Sequence, residues 1–160
     1  MKLKNCAISL DTLDWKILRI LQENSKQTYS EIGRQLDVAH STVYDRIRKL
    51  ESSGVITKWT VDIDIEKAGI NHIFANMIVY TDPKESDNVA KQLSAAQEVL
   101  EASISLSEEL LIIAKVVARN QDELHSFVAK KVAPLQGVLR IRTSIITKKY
   151  KEERLLIKQK

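Results

Sequence analysis

A single cysteine, Cys6, in 160 residues excludes an intramolecular disulfide and a cysteine-based zinc centre within one chain, so apolar burial has to hold the fold together. The four glycines stand singly at 33, 54, 69 and 137, which excludes a phosphate-cradling glycine loop and a Gly-x-Ser-x-Gly elbow. His40, His72 and His125 are far apart, and none has metal-ligand spacing to another histidine or to a suitable carboxylate. These absences argue against an enzyme, a metal site or a tightly held cofactor. The longest apolar run, Leu110–Ala114, is far short of the roughly 20 residues of a membrane-spanning helix, and the N-terminus carries no apolar secretory stretch. The expectation is a cytoplasmic protein with no membrane partner.

What is present is 44% apolar content, enough for real cores, and a charge that is uneven along the chain. Residues 1–60 carry ten basic and seven acidic side chains, residues 61–139 seven basic and twelve acidic, and residues 140–160 eight basic and two acidic. A basic head beside an acidic middle fits a unit that meets phosphate joined to a body that does not. The basic tail, KKYKEERLLIKQK, reads equally as a phosphate-tracking segment, a solvated helix or a frayed end.

Between Thr28 and Ile56 the periodicity is that of two short helices. Thr28 and Glu31 form a capping box, and Ile32 and Leu36 follow on one face. Asp37, Val38 and Ala39 break the pattern, after which Val43, Ile47 and Leu50 make one apolar stripe that ends at Gly54. At about 100° per residue, that stripe turns Ser41, Tyr44, Asp45, Arg48 and Lys49 to the opposite side, with His40 and Arg46 on its flanks. Singly, each is at home on any solvated helix. Together with the tight turn, they make a helix-turn-helix whose second helix is equipped to donate, accept and stack against DNA.

A preceding helix is capped by Asp11 with Asp14 in its first turn. Leu10, Asp14, Ile17 and Leu21 lie on one side, with Leu13 and Leu18 beside them. After Gly54, Val61, Ile63 and Ile65 alternate with Asp62 and Asp64 as in an exposed strand, either a wing or a connector.

The second half predicts a strand over 72–81, a helix over 86–96 presenting Val89 and Leu93, and a half-buried strand on Leu100, Ala102, Ile104 and Leu106. A turn at Glu108 and Glu109 and a central strand over 110–118 follow. Asn120 and Glu123 then suggest a capping box over a helix presenting Leu124, Phe127, Val128 and Lys131. Residues Pro134–Gly137 break it, and Leu139, Ile141 and Thr143 alternate with Arg140 and Arg142 in a last strand. The order βαββαβ is the ferredoxin-like split unit. The fold class is therefore α+β. Residues 1–56 form a winged-helix-like helix-turn-helix domain, 57–71 a linker strand, 72–150 a ferredoxin-like domain suited to dimerisation, and 151–160 a basic tail. Strands this apolar on both sides suggest that sheets pair across a homodimer, and a twofold axis would place two heads on half-sites about one helical turn, or a multiple of it, apart.

Over residues 10–150 the chain resembles the leucine-responsive and asparagine-regulator (Lrp/AsnC, feast/famine) transcription factors. The resemblance rests on Leu10-Asp11 with Asp14, Ile17 and Leu18; Glu31-Ile32 with Leu36; Thr42-Val43 with Arg46-Ile47, Leu50-Glu51 and Gly54-Val55-Ile56. It continues in Asp64, Ala68-Gly69, Gly137-Val138 and Thr143. It implies a regulator that reads double-stranded DNA through His40, Ser41, Tyr44, Asp45, Arg46, Arg48 and Lys49, as a homodimer or as an octamer assembled from dimers. It also implies an amino-acid effector near Ser105, Ser107, Glu108, Glu109 and Thr143.

Two positions depart from the family pattern. A capping serine commonly opens the recognition helix, where this chain has Ala39; Asp37, ahead of Ser41, is the expected substitute cap. The family's effector loop carries a glycine and an aspartate, whereas Ser107-Glu108-Glu109-Leu110-Leu111 lacks the glycine and puts Leu111 in place of the aspartate. Without that close approach and that carboxylate, the effector is a different small molecule or there is none. Two other readings share the architecture: the sirohaem decarboxylases, which resemble these regulators in both halves, and a DNA-compacting protein indifferent to sequence.

Overall fold

The computed structural model describes residues 9–65, 67–106 and 109–151. Cys6, most of the basic tail (152–160), Ser107 and Glu108 lie outside the described residues. The chain divides into two compact units, one within residues 1–62 and one spanning Ile63–Tyr150.

The first unit is built on three helices, α1 (Thr12–Glu23), α2 (Tyr29–Leu36) and α3 (His40–Ser52). Two of them begin with capping boxes, the one at Thr28 as predicted and the one at Asp11 where the sequence indicates only a cap. Asp11 accepts from the Asp14 amide while Asp14 accepts from that of Asp11, and Thr28 and Glu31 make the same reciprocal pair. Ile17, Leu21, Ile32, Val43 and Ile47 from all three helices form the core, with Leu50 also buried at the end of α3. The turn between α2 and α3 is tight because Asp37 takes the left-handed conformation (φ 55°, ψ 47°) and the Val38 amide donates to the Gly33 carbonyl. Asp37 thus closes α2 and does not cap α3, contrary to expectation. Ala39 is the N-cap residue of α3, and no side chain bonds its first amides. At the other end Gly54 (φ 75°) reverses the chain, its amide donating to Glu51.

The linker strand is not formed. Residues 57–64 have no strand assignment, and Val61 and Ile63 are 71% and 63% exposed. Alternation alone does not make a strand, which also needs a ladder of backbone hydrogen bonds, and among the described residues no strand pairing involves this segment. Asp64 starts a turn instead, accepting the Lys67 amide on its side chain and that of Ala68 on its carbonyl.

The second unit has the predicted order: β1 (Ile73–Thr81), α4 (Ser86–Ser94), β2 (Val99–Leu106), β3 (Leu110–Ala118), α5 (Gln121–Phe127) and β4 (Val138–Ile146), with one π-helical turn over Val128–Val132 after α5. The strands lie in the order β2-β3-β1-β4, all neighbours antiparallel. Ala75, Met77, Val79, Ile112, Ala114, Val116 and Ala118 on the two central strands meet Val89 and Leu93 of α4 and Leu124 and Phe127 of α5. The apolar side of β2, predicted to be half-buried, is largely open: Leu100, Ile104 and Leu106 are all exposed, because β2 is an edge strand with a bulge at Leu100. The second predicted box is half formed. Asn120 accepts from the Glu123 amide, but the Glu123 carboxylate takes the backbone amide and guanidinium of Arg119 instead.

Candidate nucleic-acid interface

Helix α3 owes its orientation to its stripe. Val43, Ile47 and Leu50 are at most 1% exposed, and this fixes the helix about its axis against α1 and α2. The opposite side then faces solvent: His40, Ser41, Tyr44, Asp45, Arg48 and Lys49 are all exposed. Among the described residues, the side chains of His40, Ser41, Asp45 and Arg48 make no hydrogen bond or ion pair within the chain. A cationic fork, a hydroxyl, an imidazole and a carboxylate are therefore presented on one helical surface with their bonding capacity unspent.

Arg46, predicted to flank that surface, is used elsewhere. Its Nη1 bonds Asp11 Oδ2 and lies 3.1 Å from Asp14 Oδ1, so it joins α3 to the start of α1. Asp14 is 1% exposed, and the guanidinium compensates a carboxylate that burial would otherwise penalise. The Asp14 amide, followed by Arg46, holds the Asp11 carboxyl below its ordinary range. Sequence reading treated Asp11 and Asp14 only as caps, since a helical wheel carries no information about a neighbouring helix. A second residue it passed over is Tyr29 at the start of α2. Its ring meets that of Tyr44 at 5.6 Å between centroids and 64° between planes, an edge-to-face pair. Trp59, beyond the head's last turn, donates its indole N–H to Glu51 at 2.7 Å.

Of the expected effector residues that are described, Ser105 and Thr143 do not come together within one chain. Ser105 is on β2 opposite Leu111, on the sheet face away from the helices, whereas Thr143 is on β4 opposite Met77, on the helix-covered side. The strand order makes β2 and β4 opposite edges, so β3 and β1 lie between the two. Glu109 precedes β3, 3.8 Å from the Arg140 guanidinium, and that guanidinium lies 3.8 Å over the Tyr80 ring. Among the described residues no cluster of three metal-ligating side chains occurs, and no helix is long and apolar enough to cross a membrane.

Comparison with known proteins agrees with both halves. Residues 10–57 match the model of winged helix-turn-helix DNA-binding domains, and residues 75–156 that of the Lrp/AsnC ligand binding domain. The chain is 33% identical over 145 residues to the HTH-type transcriptional regulator FL11 of Pyrococcus horikoshii, covering 91% of this chain and 94% of that one. Its fold is similar to that of E. coli AsnC (TM-score 0.80, 23% identity, 93% of this chain and 99% of that one). It is also similar to that of a transcriptional regulatory protein of Pyrococcus furiosus described as a member of the AsnC family (TM-score 0.67, 32% identity, 91% and 94%). With a helix-turn-helix head, a βαββαβ body and sequence matches across both, the chain belongs to the Lrp/AsnC family of helix-turn-helix transcriptional regulators.

Proposed function

We propose that the protein regulates transcription as a homodimer that reads two half-sites, with Ser41, Tyr44, Asp45 and Arg48 at base edges and His40, Lys49 and other cations of the head at phosphate. The observation that carries this reading is the outward face of α3, where charged and hydrogen-bonding side chains stand without internal partners directly behind a fully buried stripe. Phosphate contacts supply affinity and its salt dependence; base contacts supply the preference. Arg46 is left out of the reading set because its guanidinium is engaged by Asp11 and Asp14.

The body contributes the twofold axis. The sheet face turned away from α4 and α5 carries Phe74, Ile78, Tyr80, Leu111, Ile113 and Val117, on which no described helix packs, although the Arg140 guanidinium lies over Tyr80 and the Lys149 ammonium over Phe74. A second copy of the same face buries them symmetrically. The body also takes a small-molecule effector, near the end of the sheet where Ser105, Leu111, Tyr80 and Arg140 form one row across the four strands. With leucine at 111, that molecule is held without the family's aspartate. Fluorescence anisotropy of the full chain on the duplex upstream of its own gene, against a scrambled competitor near physiological salt, tests the reading. A preference of about a thousandfold or more supports a specific regulator. Equal binding to both duplexes leaves a target elsewhere or DNA compaction, and absence of binding with an absorbance shift on adding sirohaem favours the decarboxylase-like reading.

A further inference from the structure

Tyr44 points from the base-reading side of α3, yet its ring is not free. We propose that Tyr29, outside the recognition helix, is a positioning residue that holds the Tyr44 ring in place for base recognition; this rests on the reading of α3 as the base-contacting helix. Both rings are about two-fifths exposed (42% and 43%), so their contact is not a by-product of core packing. An exposed tyrosine on a helix samples more than one staggered rotamer, and binding through it loses that freedom. An edge-to-face partner at 5.6 Å and 64° restricts the choice before DNA arrives.

The backbone beneath the pair is itself fixed. Thr28 and Glu31 set where α2 begins, and so place Tyr29 at its first position. Gly33 sets how close the two helices come: a Cβ there would sit 2.7 Å from the Val38 carbonyl oxygen. Two short helices locked at their near ends thus deliver one ring to the other. The tyrosine hydroxyl of position 29 has no part in this; the ring alone is required.

The test uses the full chain and an operator selected with it from a random duplex pool, measured against a scrambled duplex. Tyr29→Ala is expected to lower the preference about two- to tenfold, the factor such a pair is worth, with affinity for the scrambled duplex and the salt slope unchanged. Tyr29→Phe should retain the preference, and in a Tyr44→Ala background Tyr29→Ala should have no further effect. Equal losses on both duplexes would make Tyr29 a phosphate contact and overturn the proposal, as would loss of preference in Tyr29→Phe. An unaltered preference in Tyr29→Ala, beside a reduced one in Tyr44→Ala, overturns the positioning role but leaves α3 as the reader. A neutral Tyr44→Ala removes the assignment on which the proposal stands. Tyr29→Leu, which keeps apolar bulk without a ring, carries the same comparison if Tyr29→Ala unfolds the head.

Discussion

Arg46 and Arg48 lie two residues apart on one helix and do different work, because one meets a carboxylate pair and the other meets water. Arg48→Ala should relax preference at one base pair and cost about 1–3 kcal/mol at the specific site, with random-duplex binding little altered; anisotropy against single-base operator variants reads this directly. Arg46→Ala should instead lower the thermal midpoint of the head, since it leaves Asp14 buried beside no cation, while the base preference of the folded fraction stays as in the wild type. The pH dependence separates the two further. The Asp11 carboxyl titrates below its ordinary 3.8 in the folded head, so the unfolded chain binds its proton first. The stability this adds is therefore present above about pH 4 and disappears as the pH falls through the folded value. Circular dichroism melts between pH 3 and 6 should show that acid-side loss in the wild type and a shallower one in Arg46→Ala.

At the scale of elements, Ala39 leaves the first turn of α3 without a side-chain acceptor, and neither Asp37 nor Ser41 supplies one. Ala39→Ser is expected to stabilise the head by about 1 kcal/mol in denaturant unfolding, the ordinary worth of a cap at an extended residue. Gly33→Ala should act in the opposite sense, by about 1–3 kcal/mol, because the atom its Cβ would meet is backbone and the turn has no slack to yield. Such elements were legible where their cause is local. The Asp11 cap, the Thr28 box, the Val43-Ile47-Leu50 stripe and the succession of strands and helices along the chain all follow from spacing within a dozen residues. What the sequence hid depends on neighbours remote in the chain. The stretch at Val61 and Ile63 alternates like a strand but joins no described sheet, Glu123 prefers Arg119 to the helix cap, and Ser105 and Thr143 are separated by a strand order that no local pattern encodes.

At the scale of the whole molecule, the proposed homodimer rests on the sheet. Its helix side is covered over the central strands by α4 and α5, whereas its other side holds three rows that run from β2 to β4: Glu101, Lys115, Asn76 and Ser144; Ser103, Ile113, Ile78 and Arg142; Ser105, Leu111, Tyr80 and Arg140. Apolar residues occupy the middle of the last two rows, with polar ones at their ends, and the first row is polar throughout, the pattern of an interface with a dry patch and a wet rim. Ile113 is the informative position, since it lies on a central strand and is still 42% exposed. A charge there would be buried in a face-to-face pair but solvated in a single chain. Ile113→Lys should therefore convert the dimer to a folded monomer in light scattering coupled to size exclusion, with the unfolding transition of the body retained. Because two linked heads bind adjacent half-sites far more tightly than one, the same variant should lose operator affinity by about a hundredfold or more on a two-half-site duplex and little on a single half-site. A monomeric Ile113→Lys that keeps full operator affinity would separate DNA reading from the sheet and place the twofold axis elsewhere in the molecule.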